Sequence, residues 1–518
     1  MSLAKILWVD DEIDSLKSQL LFLQNKGYEV ACLTNGFDAI DYVKEHPLDV
    51  VLLDESMPGI SGLETLAKIK AIKSNLPVVM ITKNEAENVM EDAIGSQISD
   101  YLIKPVNPSQ VLLSLKKILD NKRLVSEKTT TSYQQEFRNL FMELNSNPDA
   151  QEWQKIYAKL VYWEMEMDKS DSPEMREVFQ TQKDEANTEF FKYVSRHYAS
   201  WIKPGNSEAP VMSHSLIAQK VLPNLSKGTP TFFVLIDNLR LDQWRAIQPI
   251  FAESFRIVSE DSFYSILPTA TQYARNAIFA GQLPIDIAKQ YPQLWKNDDD
   301  EGSKNLHEEE FIKAQLKRLG KGDLKISYTK ILTNDAGQQL VNNIHNMLGN
   351  DLNVIVYNFV DMLSHARTEM EVLKELASDE RSYRSITKSW FEHSPLYEAL
   401  KKIADKKVKL VLATDHGSIR VNTPAKVVGD RQTTTNIRYK HGRNLNYENR
   451  DVLAFRDPKE AGLPSPSINS SYIFARENTY LCYPNNYNHF VNYYKNTFQH
   501  GGVSLEEMIV PVVVMESK

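Results

Sequence analysis

Along the first 120 residues, short apolar runs alternate with amphipathic stretches. KILWV, YEVACL, DVVLLD, PVVMIT and DYLI each read as a buried strand, and a helical pattern follows each one. Five such units predict a doubly wound parallel sheet. From about 133 to 200 the period changes. Trp153, Tyr157, Leu160, Trp163 or Glu164, and Met167 recur at helical spacing. Two more helical stretches begin near Tyr133 and Pro173, separated by NSNPD and DKSDSP. Three helices with short turns predict a small bundle acting as a connector. Strand-like runs then return in TFFVLI, VIVY and LVLA, which predict a second α/β segment.

Polar, Pro- and Gly-bearing stretches near 125–133 and 201–213 mark breaks between these regions, and an acidic loop lies at 297–305. The expected layout is an α/β multidomain chain divided as 1–122, 123–205 and 206–518. With 518 residues there is room for about three domains. The net charge of -8 supplies no global pull toward nucleic acid, so any such contact has to be local. Cys32 and Cys482 are the only cysteines; they have neither metal-ligand spacing nor a disulfide framework, as expected of a reducing cytosol. The opening MSLAKILWVDDE lacks the apolar core of a signal peptide, and no stretch reaches membrane-spanning length. A cytoplasmic protein is expected.

In a doubly wound sheet, ligands sit beyond the carboxyl ends of the strands. Those ends carry Asp10 and Asp11, Asp54, Thr82 and Lys104. Three converging carboxylates repel one another, which makes a hard cation such as Mg²⁺ their natural partner. With that charge and the Lys104 ammonium to neutralise phosphoryl oxygens, Asp54 becomes a competent nucleophile. The motifs WVDDE, LLDESMPGISG, ITK and YLIKPV, in that order, resemble a response-regulator receiver domain. The resemblance implies phosphorylation at Asp54. It further implies Mg²⁺ held by Asp10, Asp11, Asp54 and the Ser56 carbonyl, and a switch made of Thr82, Tyr101 and Lys104.

The last segment poses a question in LVLATDHGSIR: Asp415 and His416 follow an apolar strand and precede a glycine. They are either a capping acid beside a surface histidine or two ligands of one divalent cation. Asp237 after TFFVLI, Thr269 and Thr271 in LPTATQYARNAIFAG, Asp361 and His365 after VIVYNF, and His500 before a glycine pair share their character. Ser504 and Glu507 have capping-box spacing, so a helix is expected to begin just after His500. Three Asp, three His and a hydroxyl supply about what two divalent metals with N/O ligands need.

From about Thr229 to Val514 the order and wording of these motifs resemble the alkaline phosphatase superfamily, in its phosphodiesterase-like, PglZ-type branch. The resemblance implies Asp237, Thr271, Asp415 and His416 on one zinc and Asp361, His365 and His500 on the other. Manganese suits the same donors. It also implies Thr271 as catalytic nucleophile, since the P-T-x-T pattern selects the second threonine, and a diester substrate, since threonine is the nucleophile of the family's phosphodiesterases. Arg438, Lys440 and Arg443 lie in a basic stretch, Arg420 to Arg450, that interleaves aromatics with bases. That composition points to substrate contacts with a nucleotide or oligonucleotide diester. As a whole, the chain resembles response regulators tied to type IX secretion. Its expected partners are a cognate sensor histidine kinase, a second copy of the chain once Asp54 is phosphorylated, and a sigma factor or secretion-motor protein. A signalling adaptor that mainly binds such a partner is the alternative to an enzyme.

Overall fold

The computed structural model describes residues 4–73, 75–83, 98–169, 172–298, 300–358, 360, 379–430, 433–465 and 469–518, with backbone alone over 120–131. The chain folds into two compact units, Met1–Ser132 and Tyr133–Lys518.

In the first unit the sheet order is Glu29–Leu33, Lys5–Val9, Val50–Asp54, Val78–Thr82, Asp100–Ile103, with every neighbouring pair parallel. The chain starts near one edge, steps outward, then crosses back, which is the doubly wound pattern. Side-chain alternation feeds two cores. Leu7, Val9, Val51 and Leu53 pack with Ala39, Val43 and Leu66 on one face. Ile6, Trp8, Val50 and Leu52 pack with Val111 and Leu115 on the other. Burial on both faces is why these strands read as continuous apolar runs.

The second unit is built on a six-stranded sheet. Its order is Phe255–Tyr264, Ile509–Ser517, Lys409–Ala413, Thr231–Ile236, Leu352–Tyr357, Ile326–Ile331. The last four strands in that order are mutually parallel, and Ile509–Ser517 runs antiparallel to its neighbours. Ala413 stands opposite Leu235, so the exits of those two central strands lie side by side.

Helices Ala150–Met167 and Pro173–Trp201 belong to this unit. Asp149 caps the first in a capping box with Glu152, and Ser172 caps the second ahead of Pro173. The aromatic stripe at Trp153, Tyr157, Leu160 and Met167 is buried, as its spacing predicts. It does not close a core of its own. The Phe190 and Trp201 rings lie 6.3 and 5.2 Å from the Tyr264 ring, and the Tyr198 hydroxyl accepts from the Leu267 amide at 2.8 Å. The helical segment therefore shares one hydrophobic core with the α/β sheet. The helix expected after His500 is a single turn, Leu505–Met508, because Ile509 at once begins a buried strand. Among the described residues, no helix is long and apolar enough to cross a membrane.

Candidate functional site

The first unit gathers its acids where the sheet predicts. Asp10 and Asp54 are buried and Asp11 is exposed, and one oxygen of each lies within 4.8 Å of the others. Lys104 Nζ sits between Asp10 Oδ2 at 2.8 Å and Asp54 Oδ1 at 3.0 Å. Burial pushes the Asp54 carboxyl up to about 6; the Lys104 ammonium opposes this and the Asp10 charge adds to it. An all-oxygen cluster short of positive charge fits a hard cation such as Mg²⁺. Ser56 is exposed at the same strand exit. The Thr82 hydroxyl donates to the Glu55 carboxylate, and Tyr101 is 40% exposed.

In the second unit, Asp237 leaves the strand Thr231–Ile236, and Asp415 and His416 leave the strand Lys409–Ala413. All three are fully buried. The two exits are laced together: the Asn238 amide donates to Asp415 Oδ1 at 3.2 Å and the Leu239 amide to Thr414 Oγ1 at 2.9 Å. Asn238 takes the left-handed conformation that this sharp turn needs, at φ 61°. Thr271 is the first residue of the helix Thr271–Ala280, whose partially positive end therefore lies beside it.

Its hydroxyl is 3.0 Å from His416 Nε2 and 3.5 Å from Asp237 Oδ1. His416 Nε2 is 3.8 Å from Asp237 Oδ1 and 3.9 Å from Asp415 Oδ2. Donors at about 2.0–2.1 Å around a tetrahedral zinc stand roughly 3.3 Å apart, so these four side chains fit such an ion with small adjustments. Histidine tautomers agree. His416 Nδ1 faces the Gly417 carbonyl at 3.1 Å, and His500 Nδ1 faces the Thr269 carbonyl at 3.1 Å. A carbonyl accepts only, so each Nδ1 donates, the arrangement in which a neutral imidazole offers Nε2 to a metal. The two rings stack at 4.2 Å. Asp361 and His365 lie outside the described residues.

Thr269 is fully buried; its hydroxyl donates to the Gly502 carbonyl at 2.9 Å and accepts the Gly501 amide at 3.0 Å. It holds the His500 loop and has no hydroxyl hydrogen to spare for chemistry. Of the two threonines, Thr271 is the one whose hydroxyl lies against Asp237 and His416.

Sequence reasoning passed over Arg275. Its guanidinium, 0% exposed, contacts Asp237 Oδ2 through NH2 and Asp415 Oδ2 through Nε at 2.9 Å. Through NH1 it approaches Asn358 Oδ1 at 3.1 Å and Glu308 at 3.6 Å. The Arg275 charge holds the Asp415 carboxyl well below the usual carboxylate range, against the opposing effect of burial. Arg275 stands four residues after Thr271, on the same helix face, and that spacing was the available signal.

The expected substrate contacts are corrected for two of three residues. Arg438 is fully buried, and its Nε and NH2 pair with the two oxygens of Glu507 at 3.0 and 2.6 Å. Glu507 also accepts the Gly502 amide at 2.9 Å, so this pair braces the glycine loop behind His500. Lys440 is 1% exposed, donates to the Thr434 carbonyl at 3.0 Å and covers the Tyr483 ring; burial pulls its ammonium down to about 7. Arg443 is exposed. Arg438→Ala is thus expected to destabilise the second unit by about 3–5 kcal/mol, the consequence of stranding a buried carboxylate. Thermal unfolding would show it, and a melting temperature equal to the parent's would contradict this role.

Three families match the chain. A response regulator receiver domain matches residues 6–116, a PorX response regulator linker domain 123–202, and a BREX system PglZ alkaline phosphatase-like domain 216–515. The transcriptional regulatory protein ZraR of Klebsiella oxytoca is 35% identical over 125 residues, covering 24% of this chain and 28% of the relative. The transcriptional regulatory protein ResD of Bacillus subtilis is 33% identical over 115 residues, covering 22% and 48%. The chain thus spans under a third of the first of these and about half of the second. Among solved structures, a CheY-like receiver domain protein from Methanospirillum hungatei is 28% identical, with 23% of this chain and 96% of that one covered at a TM-score of 0.23. The response regulator DrrB of Thermotoga maritima is 30% identical, with 23% and 54% covered at 0.22.

Proposed function

The chain belongs to the BREX system PglZ alkaline phosphatase-like family and carries a response regulator receiver domain, and from that premise we propose a response regulator whose effector domain is a metal-dependent phosphodiesterase. The observation that carries the reading is the Thr271 hydroxyl, 3.0 Å from His416 Nε2 and beside Asp237 at the start of a helix. Asp237, Thr271, Asp415 and His416 would hold one ion, with Asp361, His365 and His500 assigned to a second. A bound divalent pair would supply a lowered hydroxyl pKa and positive charge for the phosphoryl oxygens.

Thr271 Oγ1 gives up its proton to solvent and bonds to phosphorus while the bond to the leaving oxygen breaks, that oxygen taking a proton and departing as the alcohol; water then cleaves the Oγ1–phosphorus bond, releasing the phosphomonoester and restoring the hydroxyl. The helix start at Thr271 favours the anionic phosphoryl group. Arg275 orients Asp237 and Asp415 and holds the Asp415 carboxyl ionised. A threonine nucleophile supports a diester over a monoester. No nucleobase requirement is included, because Arg438 and Lys440, two of the three bases behind that expectation, are buried.

In the receiver, Asp54 is the phosphoryl acceptor for a cognate histidine kinase, and Asp10, Asp11 and the Ser56 carbonyl complete a Mg²⁺ site with it. Thr82, Tyr101 and Lys104 read the phosphoryl group, and the phosphorylated chain dimerises. The setting is cytoplasmic, and the linker match supports a role in type IX secretion.

Metal analysis of purified protein, with matched aryl diester and aryl monoester substrates, tests the enzymatic reading. Bound divalent metal and faster diester cleavage are expected. Metal-loaded protein that cleaves neither ester, or prefers the monoester, would refute it.

A further inference from the structure

A buried lysine on the linker helix Pro173–Trp201 reaches toward the metal loops. Lys183 Nζ pairs with Glu506 at 3.0 Å and with Glu164, on the preceding helix, at 2.9 Å. Lys183 is 6% exposed and Glu506 3%. One turn along the same helix, Asn187 donates to Glu506 Oε2 at 3.1 Å and accepts the Leu505 amide at 2.8 Å. The helix therefore grips both the side chain and the backbone of the turn that follows His500.

The other side of that turn lies against the loop of Asp415 and His416. The Gly417 amide donates to the Glu507 carbonyl at 3.1 Å, and a Cβ on Gly417 would overlap the Glu506 carbonyl oxygen. Only glycine allows this approach. The Gly417 carbonyl in turn fixes His416 through Nδ1 at 3.1 Å. Every step from Lys183 to His416 is thus a direct contact: lysine to Glu506, the turn to Gly417, and Gly417 to the imidazole.

Three charges have been taken out of water here, and apolar side chains of similar size would stabilise a packed interface at least as well. What an ionic cluster adds is a single defined geometry. We propose that Lys183 is a positioning residue for the metal centre, acting through Glu506 to hold the 505–507 turn against Gly417 and so to set His416. This rests on the metal-dependent phosphodiesterase reading. It makes the linker helices part of the working site, and gives any displacement of Pro173–Trp201 a direct route to a metal ligand.

The test uses the full-length protein. The double variant Lys183→Met with Glu506→Gln removes one charge of each sign, and Glu164 keeps its partner Arg384 at 3.1 Å. Zinc affinity is read by competition with a chromogenic chelator, and kcat and KM on an aryl diester. The expected result is about tenfold weaker zinc binding, the lower end of what outer contacts to metal ligands are worth, with a fall in kcat at little-changed KM. Lys183→Arg, which keeps the charge, should restore both. If the double variant fails to fold, Glu506→Gln alone is measured, with the same expectation and a smaller effect. A folded variant with the parent's zinc affinity and kcat overturns the proposal and leaves the phosphodiesterase reading intact. A parent protein that binds no divalent metal overturns both.

Discussion

Thr271→Val should lower diester hydrolysis by about three orders of magnitude or more, the scale of losing a nucleophile from a site whose other groups survive. Valine nearly keeps the volume and removes only the oxygen proposed as nucleophile. Asp237, Asp415 and His416 remain as the proposed ligands, and three protein ligands suffice for a catalytic zinc. Metal content should therefore stay close to the parent's. Thr269 cannot substitute, because its hydroxyl is already committed to Gly501 and Gly502. Asp54 phosphorylation from a small acyl phosphate should be unaffected, since Asp54 belongs to the other compact unit. Asp54→Ala should show the converse, no phosphoryl acceptance with basal hydrolysis retained. Folded, metal-loaded Thr271→Val protein that works at the parent rate would transfer the nucleophile's role to water.

Removing the Arg275 charge is the second large effect. Arg275→Met strands Asp237 and Asp415 without their cation inside the protein, while Glu308 keeps Lys330 at 2.9 Å. Breaking a buried ion pair by deleting one partner costs about 3–5 kcal/mol. In metal-free protein this should lower the melting temperature of the second unit by roughly 4–6 °C. A divalent cation brings two positive charges to the same carboxylates, so zinc should raise the variant's melting temperature more than the parent's. Its stabilisation grows with ligand excess, to about 4 kcal/mol at a thousand times Kd. Differential scanning with chelator and with added zinc measures both arms. Equal melting temperatures for parent and variant in chelator would show that the guanidinium does not compensate the two acids.

Much of the candidate site was legible along the chain because its information is local. A buried strand announces itself over five or six residues, and the next residues are carried to the carboxyl edge of a parallel sheet. Asp10, Asp54, Asp237, Asp415 and His416 were found in that way, and the structure places them at strand exits. Helix starts are equally local: the caps Asp149, Ser172 and Ser504 act within their own first turn.

What a charged residue does once the chain has folded is not local. Arg438 and Lys440 read as solvated bases from their neighbours in sequence, yet Arg438 finds Glu507, 69 residues on, and disappears into the interior. Arg275 looked like an ordinary helix residue until two strand exits brought Asp237 and Asp415 to it from positions 38 residues before and 140 after. The linker stripe was read correctly as core, but which core it joined depended on Tyr264 and Leu267 in the next segment. Hydrophobic period and turn chemistry are set by backbone geometry over a few residues, so the sequence alone determined the strand runs and the helix starts at Ala150 and Pro173, whereas the helix expected from about Tyr133 begins at Pro108 and runs through the polar stretch near 125–133 to Asn145. The free energy of a charge depends on solvent and on partners brought from far along the chain, so only the tertiary structure decided which bases face a substrate and which hold the site together.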